Sequence, residues 1–573
     1  MSVLPLVLVS ALGYLIAYYT YGRFIARKIV QLSSRHVTPA HQFNDGKDFV
    51  PTKRHVLFGH HFTSIAGTGP IVGPAIGVIW GWVPALLWVF FGSIFIGAVH
   101  DFTTLVVSMR HDGKSIAEIT ASIINPRVRA LFFMVVFLAL LIVIAIFGLV
   151  IAVIFNLFPE SVFPIWMEIP IAIMVGYVVY QKGISLRYAT VAGVIAMYIT
   201  VIIGHFIPLR MPELLSIPPT GLWTILLLLY ALIASVLPVT TLLQPRDYLN
   251  AWQLYIALGL LILGIIVTSL STTFTIPAPA INLSPDGAPS IWPFIFITIA
   301  CGAISGFHSL VSSGTSAKQI QCESDAQFIG FGSMLLEAFL ATIVIITVTA
   351  GLGMAYTTAD GTLLTGVSAW NAHYGSWLAS QGLASKIHAV VIGSSNILSS
   401  LGIPTELGVI IMGVFIASFA ATTLDSATRV QRYIISELVS QTSIRLLLPL
   451  KKPLYAALLA VLTGAALAFS SGLNGKGALA LWPLFGAVNQ LLATLALSIG
   501  TLYLRRRGGW AFLITGIPWA FMAIITLWAT LSNQFFFMKS DHLLLAIING
   551  IIFSLALIII AECLIIFKRQ SNA

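Results

Sequence analysis

Fifteen apolar runs, most of them about 20 residues long, make up well over half of the chain, and nothing else limits its fold so sharply. They lie near 3–22, 61–82, 84–108, 128–157, 165–181, 187–207, 220–243, 251–272, 289–316, 329–352, 404–425, 453–470, 478–502, 509–531 and 542–567. A helix of that length crosses a hydrocarbon core of about 30 Å. Composition agrees: 58% of residues are hydrophobic and 8% charged, where a soluble domain carries about 25% charged residues. A single water-soluble core of 573 residues would have divided into domains. The chain therefore reads as an all-α polytopic protein of a lipid bilayer, with about 15 transmembrane helices.

The net charge of +10 follows topology and implies no nucleic-acid partner. With the N-terminus outside, all but four of the 29 Lys and Arg fall in inside segments; the exceptions are Arg210, Lys386, Lys476 and Lys539. Arg23, Arg27, Lys28, Arg35, Lys47, Lys53 and Arg54 share the first inside segment. That bias places the N-terminus outside and the C-terminus in the cytoplasm. The first run lacks a basic n-region and reads as a span, not a cleavable signal. Cys301, Cys322 and Cys563 share no CxxC spacing and imply neither disulfide nor zinc. The stretch "QRYIISELVSQTSIRLLL" (431–448) mixes polar and apolar residues and reads as a helix on the cytoplasmic surface.

One apolar run is built from poor helix formers. "GTGPIVGPAIG" (67–77) holds four glycines and two prolines at bilayer depth. Irregular backbone is tolerated there only inside the protein or beside a cavity. The run is thus expected to be a discontinuous helix, unwound near Gly67–Pro74. Its free carbonyls suit a cation, and the N-terminus of its second half suits an anion. Inverted-repeat transporters carry a second broken helix running the opposite way. The run at 220–243 has Pro238 among Ser235, Thr240 and Thr241 and lies five helices later with opposite orientation. This spacing gives the 5+5 inverted arrangement of LeuT-like transporters, with 1–58 as an N-terminal span and basic loop. The repeats are then 59–215 and 216–428, followed by an amphipathic segment and four peripheral spans in 429–573.

Within that arrangement the run at 289–316 faces the first broken helix, and its Ser309, Ser312, Ser313 and Thr315 are candidate sodium ligands. Lys318 follows, either as a fixed positive charge in place of sodium or as a side chain reaching the interface. Ionisable residues at depth are functional candidates by default. Asp101, after His100 in "GAVHDF", and Glu337, in "GSMLLEAFLA", are candidate proton carriers. Asp425 stands four residues before Arg429, a spacing that suits an ion pair at the cytoplasmic gate. Glu562 lies in the last span and reads as a structural hydrogen-bonding group. His60, His61, His100 and Asp101 together raise the alternative of a membrane metalloenzyme, although adjacent histidines on one helix point about 100° apart. HExxH, GxSxG and Walker A motifs are absent, so the chain reads as no enzyme, with neither cofactor nor metal.

The blocks "GHHFTSIAGTGPIVGPAIGVIWGW", "GAVHDF", "LLQPRDYLN", "SGFHSLVSSGTSAKQI" and "TTLDSATRVQRY" together resemble the carbon starvation protein A (CstA) family across about Arg54 to Tyr433. The resemblance implies a bacterial inner-membrane transporter of peptides, or of pyruvate with protons, on a LeuT-like core. The expectation is a secondary active transporter importing a small carboxylate nutrient by proton symport. The alternatives are a sodium-coupled peptide or amino-acid transporter and a passive channel. Thr68, Gly69 and Gly73 would hold the substrate's anionic group, with Ser235, Thr240 and Thr241 opposite. His60, His61, Asp425 and Arg429 would form the gate.

Overall fold

The computed structural model describes every residue except 1, 359, 379, 381, 441–443, 541 and 573. Among the described residues, twelve helices are long and apolar enough to cross a membrane, or fourteen when each of two bent pairs counts as one span. The shortfall against fifteen falls on 289–316, which is two short helices, neither long enough alone.

In chain order the elements are α1 (Val3–Ile29), the bent pair α2 (Arg54–Ile65) and α3 (Gly69–Gly77), and α4 (Trp82–Met109). They continue with α5 (Pro126–Leu157), α6 (Val162–Tyr180), α7 (Leu186–Phe206), α8 (Pro219–Val236) and α9 (Leu243–Ser271). The pair α10 (Ile291–Thr298) and α11 (Gly306–Gly314) precedes α12 (Glu323–Gly351). A two-stranded hairpin (Tyr356–Thr357 with Leu363–Leu364), α13 (Gly366–Tyr374) and α14 (Leu383–Ser399) then lead to the 36-residue α15 (Thr405–Ser440). The chain ends with α16 (Pro453–Ala468), α17 (Trp482–Arg506), α18 (Leu513–Lys539) and α19 (Leu543–Asn572).

Helices α15, α12 and α5 are the most buried spans, and α19, α1 and α7 are among the least. Helix α15 lies along α5, α2 along α9, α3 against α12, and α11 against α4 and α17. The pairs α2–α3 and α10–α11 thus stand in the middle of the bundle, where neighbouring helices replace lipid around their irregular backbone. One end of the bundle gathers Arg110, Lys318, Arg429, Arg432 and Arg507, with Arg110 and Arg507 both donating to Val30 O. The opposite end holds the Ser2–Thr275 bridge, Trp80 on Pro289 O and Trp377 on Asp286 O.

The first break is where the sequence places it. Helix α2 closes with Ala66 N–H on Phe62 O at 2.8 Å, the chain unwinds at Gly67–Thr68, and α3 leaves at a 45° bend. Pro74 has no N–H to give Pro70 O, so α3 is held by its neighbours as much as by its own ladder.

The second break is not where the sequence analysis puts it. Pro238 lies in the connection between two separate spans, because a proline disfavours helical backbone at the residue before it, here the extended Leu237. The interrupted helix is α10–α11, unwound over Ile299–Ser305. Gly302 there has φ +89°, a left-handed conformation open to glycine, and a Cβ on it would press to 2.7 Å on Ala341.

A second correction concerns 431–448. Residues up to Ser440 continue α15 through the interior instead of lying on the surface, and 441–443 fall outside the described residues. The cause is Asp48, which pairs with Arg429 at 2.7 Å and Arg432 at 3.1 Å and so allows both cations to stay buried.

Candidate functional site

The two breaks meet. A Cβ on Gly69 would collide with Cys301, and one on Gly73 would stand 2.8 Å from Thr298 O. Only glycine lets the backbones of α3 and 298–301 approach this closely. Thr68 is buried at the start of α3, and its carbonyl accepts Val72 N–H at 2.8 Å. Thr298–Gly302 therefore faces the first break in place of Ser235, Thr240 and Thr241. Those three sit at and beyond the end of α8. Ser235 donates to Leu232 O, Val239 N–H bonds Lys47 O, and the Thr240 and Thr241 carbonyls face Gly176 of α6.

Beside the second break, Asp101 and Glu337 converge on a residue the sequence analysis passes over, His308. Asp101 comes from α4, His308 from the first turn of α11 and Glu337 from α12, and all three are fully buried. His308 Nδ1 lies 2.9 Å from Asp101 Oδ2, while His100 Nδ1 holds the other Asp101 oxygen at 2.7 Å. His308 Nε2 faces Glu337 Oε2 at 3.3 Å, with the Cys301 thiol beside them. With the His308 Nδ1 proton directed at Asp101, two bare lone pairs at that distance would repel. One shared proton belongs between them, on the imidazole or on the carboxyl. The remaining Glu337 oxygen accepts Gly302 N–H at 3.1 Å. The bridge therefore ties the backbone of the second break to a titratable pair.

The hydroxyl cluster of α11 is mostly engaged with its own helix. Ser309 donates to Gly306 O and Ser313 to Ser309 O, while Thr315 Oγ1 lies 3.3 Å from His60 Nε2. Among the described residues, Ser312 Oγ is buried without a partner. A separate hydroxyl set missed from the sequence joins α15 to the end of α2. Thr422 donates to Thr63 O at 2.9 Å, Thr423 to Ser64 O at 3.3 Å, and Ser426 Oγ meets Ser64 Oγ at 2.8 Å.

The expected gate residues fall into different sets. Asp425 does not pair with Arg429; it takes Arg246 and, at 2.9 Å, the Tyr230 hydroxyl. Arg246 also holds Asp247 at 2.8 Å, and Asp247 reaches His60 Nδ1 at 2.6 Å. Arg429 instead caps the end of α8 through Ala234 O and Leu237 O and pairs with Asp48. Burial opposes the charge on Asp48, but Arg432 and then Arg429 outweigh it and hold its carboxyl below the ordinary range. Lys318 does not reach for water: it is buried, with Nζ 3.6 Å from the centre of the Tyr433 ring. Glu562 accepts from Asn125 Nδ2 at 3.1 Å, as a structural group would. His61 Nδ1 meets Ser316 Oγ at 2.7 Å while His60 turns to Asp247, so His60, His61, His100 and Asp101 do not converge on one point. Glu168, bonded to Ser418, is a further buried acid missed in an otherwise apolar run.

Broken helices crossing at mid-bundle define the class. Among solved structures, the Eremococcus coleocola manganese transporter matches with a TM-score of 0.50 at 12% identity, over 92% of this chain and 99% of that one. The fold is LeuT-like, of the kind built on two inverted five-helix repeats. The family model described as carbon starvation protein CstA matches residues 2–529, and the chain belongs to that family. Relatives include the peptide transporter CstA of Helicobacter pylori strain J99, 34% identical over 92% of this chain and 81% of its own length. Another is the pyruvate/proton symporter BtsT of Escherichia coli K12, 32% identical over 92% and 81%. The chain is a multi-span membrane protein and not an enzyme.

Proposed function

We propose that this protein is a secondary active transporter of the bacterial inner membrane that imports a small carboxylate nutrient, pyruvate or a short peptide, together with a proton. The observation that carries the reading is the Asp101–His308–Glu337 bridge, a chain of titratable groups with no fixed cation, joined to the backbone of a broken helix. A charged carboxylate accepts a hydrogen bond far better than a neutral one. Proton uptake by Glu337 loosens its hold on Gly302 N–H, and that amide then turns to the substrate carboxylate near Thr68, Gly69 and Gly73. Proton and anion enter together, so the buried site keeps its net charge.

Transport follows by alternating access about the two breaks. The basic end faces the cytoplasm, in keeping with the Lys and Arg bias, which leaves the N-terminus outside. The Asp48–Arg429–Arg432 cluster is the inner latch. A sodium-coupled reading has one observation in its favour, the hydroxyls of Thr422, Thr423 and Ser426 against the end of α2.

Uptake of labelled pyruvate into proteoliposomes, with proton and sodium gradients imposed separately and unlabelled dipeptides as competitors, tests both. Accumulation driven by protons alone is expected. Accumulation driven by sodium alone transfers the coupling role to the α15 hydroxyls. Flux that no gradient concentrates rejects active transport.

A further inference from the structure

Among the described residues, the buried guanidiniums of Arg246, Arg429 and Arg432 each have a carboxylate at ion-pair distance. Buried Lys318 lies in the field of Glu437 and Asp48. Lys386 is different. It is 4% exposed, on the first turn of α14, and among the described residues no carboxylate acts on it. Its neighbours are aromatic: Nζ lies 5.2 Å from the centre of the Tyr374 ring, and Tyr374 stacks on Trp370 at 4.3 Å. His373 packs beside Tyr374 and reaches Ser385 Oγ at 3.3 Å. This cluster stands at the end opposite the basic one. It is tied to the first broken helix, because the Tyr374 hydroxyl donates to Ala75 O of α3 at 2.7 Å.

A buried ammonium without a counter-charge is costly, and an anion is what offsets it. The aromatic walls suit an anion with a small apolar body. We propose that Lys386, with Tyr374 and His373, forms an outer binding site for the carboxylate of the transported nutrient, on its way to the break between α2 and α3. The proposal rests on the transport reading for the identity of its ligand. Pyruvate and the C-terminus of a short peptide present the same group.

Burial pushes the Lys386 amine down to about 7. Burial, then Lys386 and His388, push His373 down to about 4; burial also lowers His388 and raises Tyr374. Of the elements packed on α14, α3 and the last turn of α12 (347–351) carry no titratable side chain, and α15 begins with the exposed Glu406. Helices α5 and α9 carry their charges near the basic end. The amine of Lys386 thus changes charge between pH 6.5 and 8, and the anion binds its charged form.

The test is the melting temperature of the full-length protein in lipid nanodiscs, titrated with pyruvate, with dialanine, and with uncharged pyruvamide as control. For the wild type, at least one carboxylate stabilises and pyruvamide does not, and apparent affinity falls about eightfold from pH 6.5 to 8. Lys386→Met is expected to melt no lower than the wild type without ligand and to bind at least about tenfold more weakly. Lys386→Arg is expected to bind with no pH dependence, because a guanidinium stays charged. Equal affinity in Lys386→Met and wild type, or no carboxylate-dependent shift in the wild type, overturns the site. Proteoliposome uptake separates the two readings: transport with Lys386-independent binding rejects only this site, and Lys386-dependent binding without transport rejects only the transport reading. Whichever of pyruvate and dialanine stabilises names the source of the carboxylate.

Discussion

Two buried charge clusters sit beside the breaks, and they differ in one respect that matters. The cluster next to α2 is built around Arg246, which holds Asp247 and Asp425 at once. A guanidinium does not lose its proton in a protein, so this cluster has a permanent centre and keeps its arrangement at any working pH. The cluster next to α11 contains His100, Asp101, His308 and Glu337 and no permanent cation. Each of its members is of a residue type that can gain or lose a proton, which a guanidinium is not. On the transport reading proposed above, one is a brace and the other a switch. Both are fully buried, so burial alone does not distinguish them.

The largest effect is expected from breaking the brace. Arg246→Met leaves two buried carboxylates without their cation, a loss of about 3–5 kcal/mol, read as a fall in melting temperature and yield. A wild-type melt for that variant would move Arg246 out of the structural role.

Next comes the switch. Glu337→Gln keeps an acceptor for Gly302 N–H but removes the titrating oxygen. Concentrative uptake is expected to vanish while substrate exchange persists, with the melt changed by less than about 1 kcal/mol. Asp101→Asn is expected to do the same through His308. If either variant still concentrates substrate, the bridge is a second brace and the contrast fails.

A smaller change probes the contact between the breaks. Gly69→Ala overpacks against Cys301 and is expected to cost about 1–3 kcal/mol, partly recovered in the double variant with Cys301→Gly. An additive double variant would mean that the two backbones have room to move apart.

The smallest effect belongs to the latch. Asp48 has a lowered pKa when folded, so its contribution is complete above the ordinary carboxylate range and fades only as pH falls through the folded value. Between about pH 5 and 8 the gap between wild type and Asp48→Asn is expected to stay constant at about 1 kcal/mol. A gap that varies over that range would place a second titrating group in the latch.

Much of the fold was legible because membrane spans announce themselves by length and apolar content. The first break was legible for a related reason, since glycine and proline conflict with helix at bilayer depth. The second break contains no proline, and its turn at Gly302 inside "CGAISGFHS" is a weaker signal in the sequence than Pro238. Asp101 and Glu337 stood out as isolated acids in apolar runs. Glu168 carries the same signal in "IWMEIPIAIM", and Arg246 with Asp247 carries a stronger one just past a span boundary. His308 had no comparable signal, because a histidine among serines is ordinary until its neighbours are known.

By itself the sequence determined the spans, the class of protein and the place of the first break. These depend on the free energy of moving each local segment from water into hydrocarbon, a quantity that adds up along the chain. Only the tertiary structure decided which charges are partners. Asp425 chose Arg246, 179 positions away, over Arg429 one turn along the same helix. Coulomb energy in a low-dielectric interior depends on distance and on the burial that surrounds it, and helix packing sets both.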